Sequence, residues 1–309
     1  VEKVINGNAP HQYYRKYNLK GKPLSKAIRI DTSHEEQYSP SLHLMENGNL
    51  LVGWQNYNHV KFRFFDVNGN PVTNVMEPDS TEFYRRNDIS ISYVKNFIAI
   101  AWKTIAPNIP SIPQKEKIYL RIFDESGKPK SASIVVDEKQ TELQEFNPQV
   151  VISNNLIYVG WITDKQDIRI SYDAKIKDSC SVRIASFDLT GKRLGIKTMA
   201  NLPVEFGADE FVLSENQNKI LASWWSISSI KNDSETFKVS GILIDSRTGN
   251  AIKIFDFLYR SDKYNHFGFT FDFPDTELTE VGDVFCVWYG NMGRDRNPGD
   301  VYWGRTRAK

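Results

Sequence analysis

Long apolar runs are missing from this 309-residue chain. Its apolar stretches are strand-length, far short of a membrane-spanning helix, and no pattern of useful helix length is visible. A surplus of one charge is missing too: 39 basic and 38 acidic residues leave a net charge of +1. That balance gives no support to a nucleic acid or another polyanion as the main partner. Cysteine is scarce, with only Cys180 and Cys286, and two thiols do not decide a redox compartment. The five histidines, His11, His34, His43, His59 and His266, have no metal-site spacing, and there is no Cys-rich cluster. Asp295-Arg296-Asn297-Pro298-Gly299-Asp300 carries oxygen donors without the EF-hand spacing. No metal and no cofactor are expected. No signal peptide is present, and the first residue is Val1 rather than Met, as after removal of a leader.

What is there is a repeat. Asn49-Leu50-Leu51-Val52-Gly53-Trp54 is a short apolar run ending in a small residue and Trp. The pattern returns at Trp102, Trp161, Trp224 and Trp288, with spacings of 48, 59, 63 and 64 residues. A fixed long period marks a repeat architecture. A second phrase follows each of the first four Trp residues. Phe65-Asp66-Val67-Asn68-Gly69 recurs as Phe123-Asp124-Glu125-Ser126-Gly127 and Phe187-Asp188-Leu189-Thr190-Gly191. Asp245 to Gly249 is a copy one residue longer, and Tyr17-Asn18-Leu19-Lys20-Gly21 is an N-terminal copy. Asp or Asn closes such a turn with its side chain, and Gly takes the positive-φ position.

Each unit therefore reads as four antiparallel strands. The first unit has them at 41–45, 50–54, 60–65 and 72–76. The fifth unit lacks its last strand, while the N-terminus begins with an unattached hairpin, 11–17 and 27–31. This predicts one all-β domain over 1–309, a five-bladed β-propeller. Its blades cover about 38–78, 86–137, 146–200, 208–256 and 266–309. The hairpin within 11–31 closes the ring by pairing with 301–307, so that no sheet edge stays long and open. The two cysteines lie in blades three and five, which are not neighbours in such a ring, and are expected unpaired. The five Trp are expected to pack between blades.

The small-residue-Trp strand and the F-D-x-x-G turn together resemble the propeller repeats of bacterial surface and secreted proteins, over nearly the whole chain. The resemblance implies a fold and a secreted or cell-surface location, and it brings no catalytic motif. The sialidase Asp-box and the Gly-His and Trp-Asp marks of WD40 repeats are absent.

Antiparallel order puts the loops between second and third strands on one face of the ring, and they are long and dissimilar: 55–59, 103–117, 162–181, 225–237 and 289–300. Variable loops on a rigid scaffold are where function usually sits. The residues just before each first strand should line the centre of that face. They include Tyr38, Arg86, Phe146, Glu210 and His266 as ligand-binding candidates, with Asp88, Glu145 and Asp209 as carboxylates. Rings, carboxylates and amides suit a glycan. The competing reading makes these carboxylates solvated rim charges, and has Gln37 and Asn147 only bonding neighbouring backbone.

The first functional expectation is a binding module for a glycan or protein ligand. The alternative is a glycoside hydrolase. Several five-bladed glycosidase families place three carboxylates at inner-strand starts, and Asp88, Glu145 and Asp209 (or Glu210) are read as holding comparable places here. Blade one departs from that pattern with Gln37-Tyr38. A third reading is a purely structural repeat domain.

Overall fold

The repeat read from the Trp strands is carried by five of the six antiparallel sheets in the computed structural model of the chain. The structure describes residues 11–56, 59–79, 85–105, 117–138, 144–164, 180–202, 208–216, 218–231, 234–260, 271–278, 283–290 and 300–307. No helix occurs among them. From residue 255 onward, and at several strand ends, only the backbone course is described. The side chains of Cys180, Cys286 and Trp288 lie outside the description, as do residues 106–116, 165–179 and 291–299 of the long loops. The backbone divides into two compact units, Val1–Glu138 and Lys139–Lys309.

The first unit opens with β1 (Tyr13–Tyr14) and β2 (Ile28–Arg29), which pair with each other. Then come β3 (Tyr38–Leu44), β4 (Leu50–Gln55) and β5 (Val60–Phe65) in one sheet. The expected fourth strand at 72–76 is only a pair of isolated bridges, Phe65 to Pro71 and Phe62 to Met76. Pro71 has no N–H to donate, which breaks a regular ladder there. The next sheet is β6 (Arg85–Val94), β7 (Phe97–Ile105), β8 (Lys117–Asp124) and β9 (Ile134–Val135).

In the second unit, β10 (Gln144–Ser153), β11 (Leu156–Asp164), β12 (Cys180–Asp188) and β13 (Arg193–Leu202) form one meander. β14 (Ala208–Asn216), β15 (Lys219–Lys231), β16 (Ser234–Asp245) and β17 (Asn250–Arg260) form the next. β18 (Phe271–Leu278), β19 (Asp283–Gly290) and β20 (Asp300–Arg307) form the last, with three strands as expected. The loop expected at 225–237 is instead an extended hairpin, in which Ile227 pairs with Phe237 and Lys231 with Ser234. Its residues keep β-prone alternation past Trp224, so pairing continues.

Within each unit the first strands of successive sheets lie side by side: β3 with β6, β10 with β14, and β14 with β18. The small residue before each Trp explains this approach. A Cβ on Gly53 would sit 2.4 Å from Ile91 Cδ1 and 2.9 Å from Ile89 Cδ1. A Cβ on Gly160 would sit 2.5 Å from Phe211 Cε1. The first strand of the following sheet thus packs directly over the small residue. Trp54, Trp102 and Trp161 are 0 % exposed and Trp224 is 3 % exposed, so these four are core residues, as expected. Hydrophobic clusters fill the space between sheets. One joins Leu51, Phe62 and Phe64 to Ile89, Ile91, Trp102 and Phe123. Another joins Tyr158, Ile162 and Ile184 to Phe211, Leu213 and Trp224. On the opposite face of the first sheet, Tyr14 and Ile30 cover Val52, Trp54 and Phe65, with the Tyr14 and Phe65 rings edge-on at 5.3 Å.

The turns form as the sequence predicts. Asp124 Oδ1 accepts from the backbone N–H of Ser126 and Lys128 at 2.9 and 3.0 Å, and Gly127 has φ +84°. Asp66, Asp188 and Asn18 make the same pair of bonds. Side-chain hydrogen bonds from Asn70, Ser126 and Thr190, and after them these backbone bonds, hold the Asp66, Asp124 and Asp188 carboxyls below the usual carboxylate range.

Candidate functional site

Every first strand carries the same irregularity near its start. In β3 the pairing jumps from Tyr38–Gln55 to Ser41–Gly53, leaving Ser39 and Pro40 opposite one residue, Trp54. In β6 it jumps from Asn87–Lys103 to Ser90–Ala101. In β10 it jumps from Phe146–Ile162 to Gln149–Gly160. β14 shifts between Asp209 and Phe211, and β18 between Asp272 and Asp275. These are β-bulges, which re-aim side chains and end regular pairing. Where φ is recorded, the first bulge residue is left-handed: Ser39 at +47°, Asp88 at +54° and Asn147 at +49°. Asn and Asp tolerate that conformation better than other L-residues. The second bulge residue is Pro40, Pro148 or Pro274 in three sheets, a place where a missing N–H costs no ladder bond.

The bulge sets the register of the carboxylates, and of the two expected in blade four it is Glu210, not Asp209, that is level with Asp88. Asp88 shares its place with Ser39, Asn147 and Glu210. Glu145 is one residue before the last regular pair, level with Gln37 and Arg86. Asp209 is level with Tyr38, Asn87 and Asp272. The three carboxylates therefore occupy three different register positions. Sequence spacing alone conceals this, because an unpaired residue shifts everything before it by one.

Among the described side chains, Asp88 has the richest surroundings. Gln55, on the preceding sheet, accepts from the Asp88 backbone N–H through Oε1 at 2.6 Å. Lys103, on the neighbouring strand of its own sheet, places Nζ 3.3 Å from Asp88 Oδ2. The Lys103 side chain is 6 % exposed and that of Asp88 24 %. The ammonium thus sits behind a carboxylate that reaches solvent.

Glu145 is 1 % exposed and heads a buried polar row. It pairs in register with Thr163, which pairs with Ser181. Thr163 and Ser181 join their hydroxyls at 2.7 Å. Neither Glu145 nor Asp88 is a freely solvated rim charge. Gln37, by contrast, is structural: its Oε1 accepts from the Gln12 N–H at 2.9 Å, and its carbonyl accepts from Gln12 Nε2 at 2.9 Å. That bond ties the N-terminal segment to β3. The hydroxyl of Tyr38 donates to Glu36. Nearby, Lys61 Nζ lies 2.7 Å from Glu35 Oε2, and this bond, more than any other contact, lowers the Glu35 pKa.

The side chains of Arg86, Phe146, Asp209 and Glu210 lie outside the described set, although their strands are described, and His266 lies outside altogether. Gln55 and Lys103 went unremarked in the sequence. The available signal was the position after the Trp, which reads Gln55, Lys103, Ile162, Trp225 and Tyr289 across the repeats. A lone cation in an otherwise uncharged column stands out once the repeats are aligned. No group of His, Cys, Asp and Glu that could hold a metal ion occurs among the described residues.

No protein-family model matches the chain, and no curated protein is significantly similar to it. Solved structures with a partly similar course exist. An α-L-arabinanase from Penicillium chrysogenum, solved with arabinobiose, has TM-score 0.49 at 11 % identity, covering 85 % of this chain and 80 % of its own. A family 43 endo-arabinanase from Bacillus licheniformis has TM-score 0.46 at 12 % identity, covering 87 % and 93 %. A family 43 glycoside hydrolase from Xanthomonas citri has TM-score 0.47 at 8 % identity, covering 88 % of each. All three are glycoside hydrolases and none is a binding module, so the binding-module expectation is not carried forward.

Proposed function

We propose that this chain is a glycoside hydrolase in which Glu145 is the general acid and Asp88 the base or nucleophile. The observation that carries the reading is Glu145 itself, a carboxyl 1 % exposed on a first strand, two residues before a left-handed bulge. An acid catalyst must pass its proton to bound substrate rather than to solvent, and burial keeps solvent from this carboxyl. In this reaction Glu145 gives its proton to the glycosidic oxygen as the C–O bond breaks. Asp88 takes a proton from the attacking water, or attacks the anomeric carbon itself. Carboxyls about 5–5.5 Å apart give retention and about 6.5–9.5 Å inversion. Asp209 is the third carboxylate, and Arg86 or His266 holds the substrate.

The five-bladed ring expected from the repeat, closed by the N-terminal hairpin, is part of this reading. Register aligns Leu42 with Ile91 and Leu213. Ile91 and Leu213 are 3 % and 8 % exposed and pack over the preceding sheet's glycine. Leu42 and Leu44 are 45 % and 72 % exposed, on the face that β1 and β2 partly cover.

The test is turnover of a panel of 4-nitrophenyl glycosides and polysaccharides by the full chain and by Glu145→Gln. Turnover with a bell-shaped pH profile, lost by orders of magnitude in the variant, is the expected result. No turnover by the full chain across the panel, or full activity in Glu145→Gln, ends this assignment.

A further inference from the structure

We propose that Lys103 is the positioning residue of Asp88, holding its carboxylate at the substrate-facing side of the bulge while Gln55 fixes the backbone beneath it. This deepens the hydrolase reading and rests on it.

The repeats themselves supply the controls. The bulge position holds Ser39, Asp88, Asn147, Glu210 and Phe273, so the bulge does not demand a carboxylate. Asn147 adopts φ +49° where Asp88 adopts +54°, so an amide satisfies the same backbone. The position after the Trp holds Gln55, Lys103, Ile162, Trp225 and Tyr289, so the scaffold does not demand a cation either. The one sheet with a lysine at that position is the one with aspartate at the bulge, and the two groups meet at 3.3 Å. A buried ammonium is expensive to desolvate, and replacing a buried ion pair with neutral groups is often neutral or stabilising. Stability therefore gives little reason for this pair. Costs of this kind persist where function requires them.

The geometry states what the pair does. Asp88 Oδ2 is fully buried and faces Lys103, whereas the Asp88 side chain as a whole keeps 24 % of its surface exposed. The ammonium attracts the rear oxygen electrostatically, at 3.3 Å and without a hydrogen bond, and so sets the direction of the front of the carboxylate. Gln55 Oε1, from the sheet before, holds the Asp88 N–H at 2.6 Å. The carboxylate is thus fixed from two sheets and needs no reorientation when substrate binds.

The experiment compares Asp88→Asn, Lys103→Met, Lys103→Arg and the Asp88→Asn/Lys103→Met double variant with the full chain, on the panel glycoside it turns over fastest. Lys103→Met is expected to lower kcat by about 100-fold with KM nearly unchanged, the signature of a misplaced catalytic group. Lys103→Arg should recover part of that loss, which a purely structural role would not require. The double variant should be as inactive as Asp88→Asn, yet melt at or above the temperature of the unmodified chain. Wild-type kcat in Lys103→Met, alongside lost activity in Glu145→Gln, overturns the positioning role alone. So does equal loss in Lys103→Met and Lys103→Arg. Absence of turnover in the unmodified chain removes the hydrolase reading and this inference with it.

Discussion

His43 lies on β3 with its ring set toward the next sheet, where a hydrogen bond reaches the Ile91 backbone. Burial pushes its pKa from 6.5 down to about 4. The sign follows directly. Above pH 6.5 the imidazole is neutral in both the folded and the unfolded chain and contributes no pH dependence. Between pH 6.5 and 4 the unfolded chain takes up a proton that the folded chain refuses, so stability falls as pH falls. At about 1.4 kcal/mol per pH unit, the loss reaches roughly 3 kcal/mol at pH 4 and then stops growing. Urea unfolding of His43→Gln should therefore show a shallower decline over that window than the unmodified chain. Parallel declines in the two proteins would mean that His43 is charged in the fold. This residue was one of five histidines in the sequence, with nothing to distinguish it. Its alternation with the exposed Leu42 and Leu44 places it on the buried face of the strand, and only the neighbouring sheet supplies the burial.

At the scale of the element, the Trp strand and the turn after it were legible because both are local. Asp, Gly and two intervening residues dictate a turn by bonds that reach four positions at most. The strand β5 begins and ends where its alternation does. The first strands were read too short, since β3, β6 and β10 each start three or four residues before the expected residues 41, 88 and 148. The bulge explains this. An unpaired residue breaks the two-residue alternation that marks a strand in sequence, while hydrogen bonding resumes beyond it. The Trp residues carry the largest share of packing at this scale. Trp161→Ala should cost about 3–5 kcal/mol, as large-to-small core substitutions do, measured as a shift in the urea midpoint without a change in slope. A cost below about 1 kcal/mol would remove Trp161 from the core.

For the whole molecule, the N-terminal segment is the part to remove. Deleting residues 1–31 should lower the stability of the first unit, since Tyr14 and Ile30 cover Trp54 and Phe65 there. A melt unchanged by the deletion would mean that this cover contributes nothing. The sequence by itself determined the antiparallel strand order around each Trp strand, the turns and the burial of Trp54, Trp102, Trp161 and Trp224, because each of these follows from short-range periodicity and turn chemistry. The tertiary structure alone decided which polar residues of the first strands are structural and which belong to a site. Gln37 is consumed by Gln12, Glu145 is buried among hydroxyl-bearing strands, and Asp88 meets a lysine fifteen residues away. Those outcomes depend on register across a bulge and on contacts between sheets, and neither leaves a local trace in the order of residues.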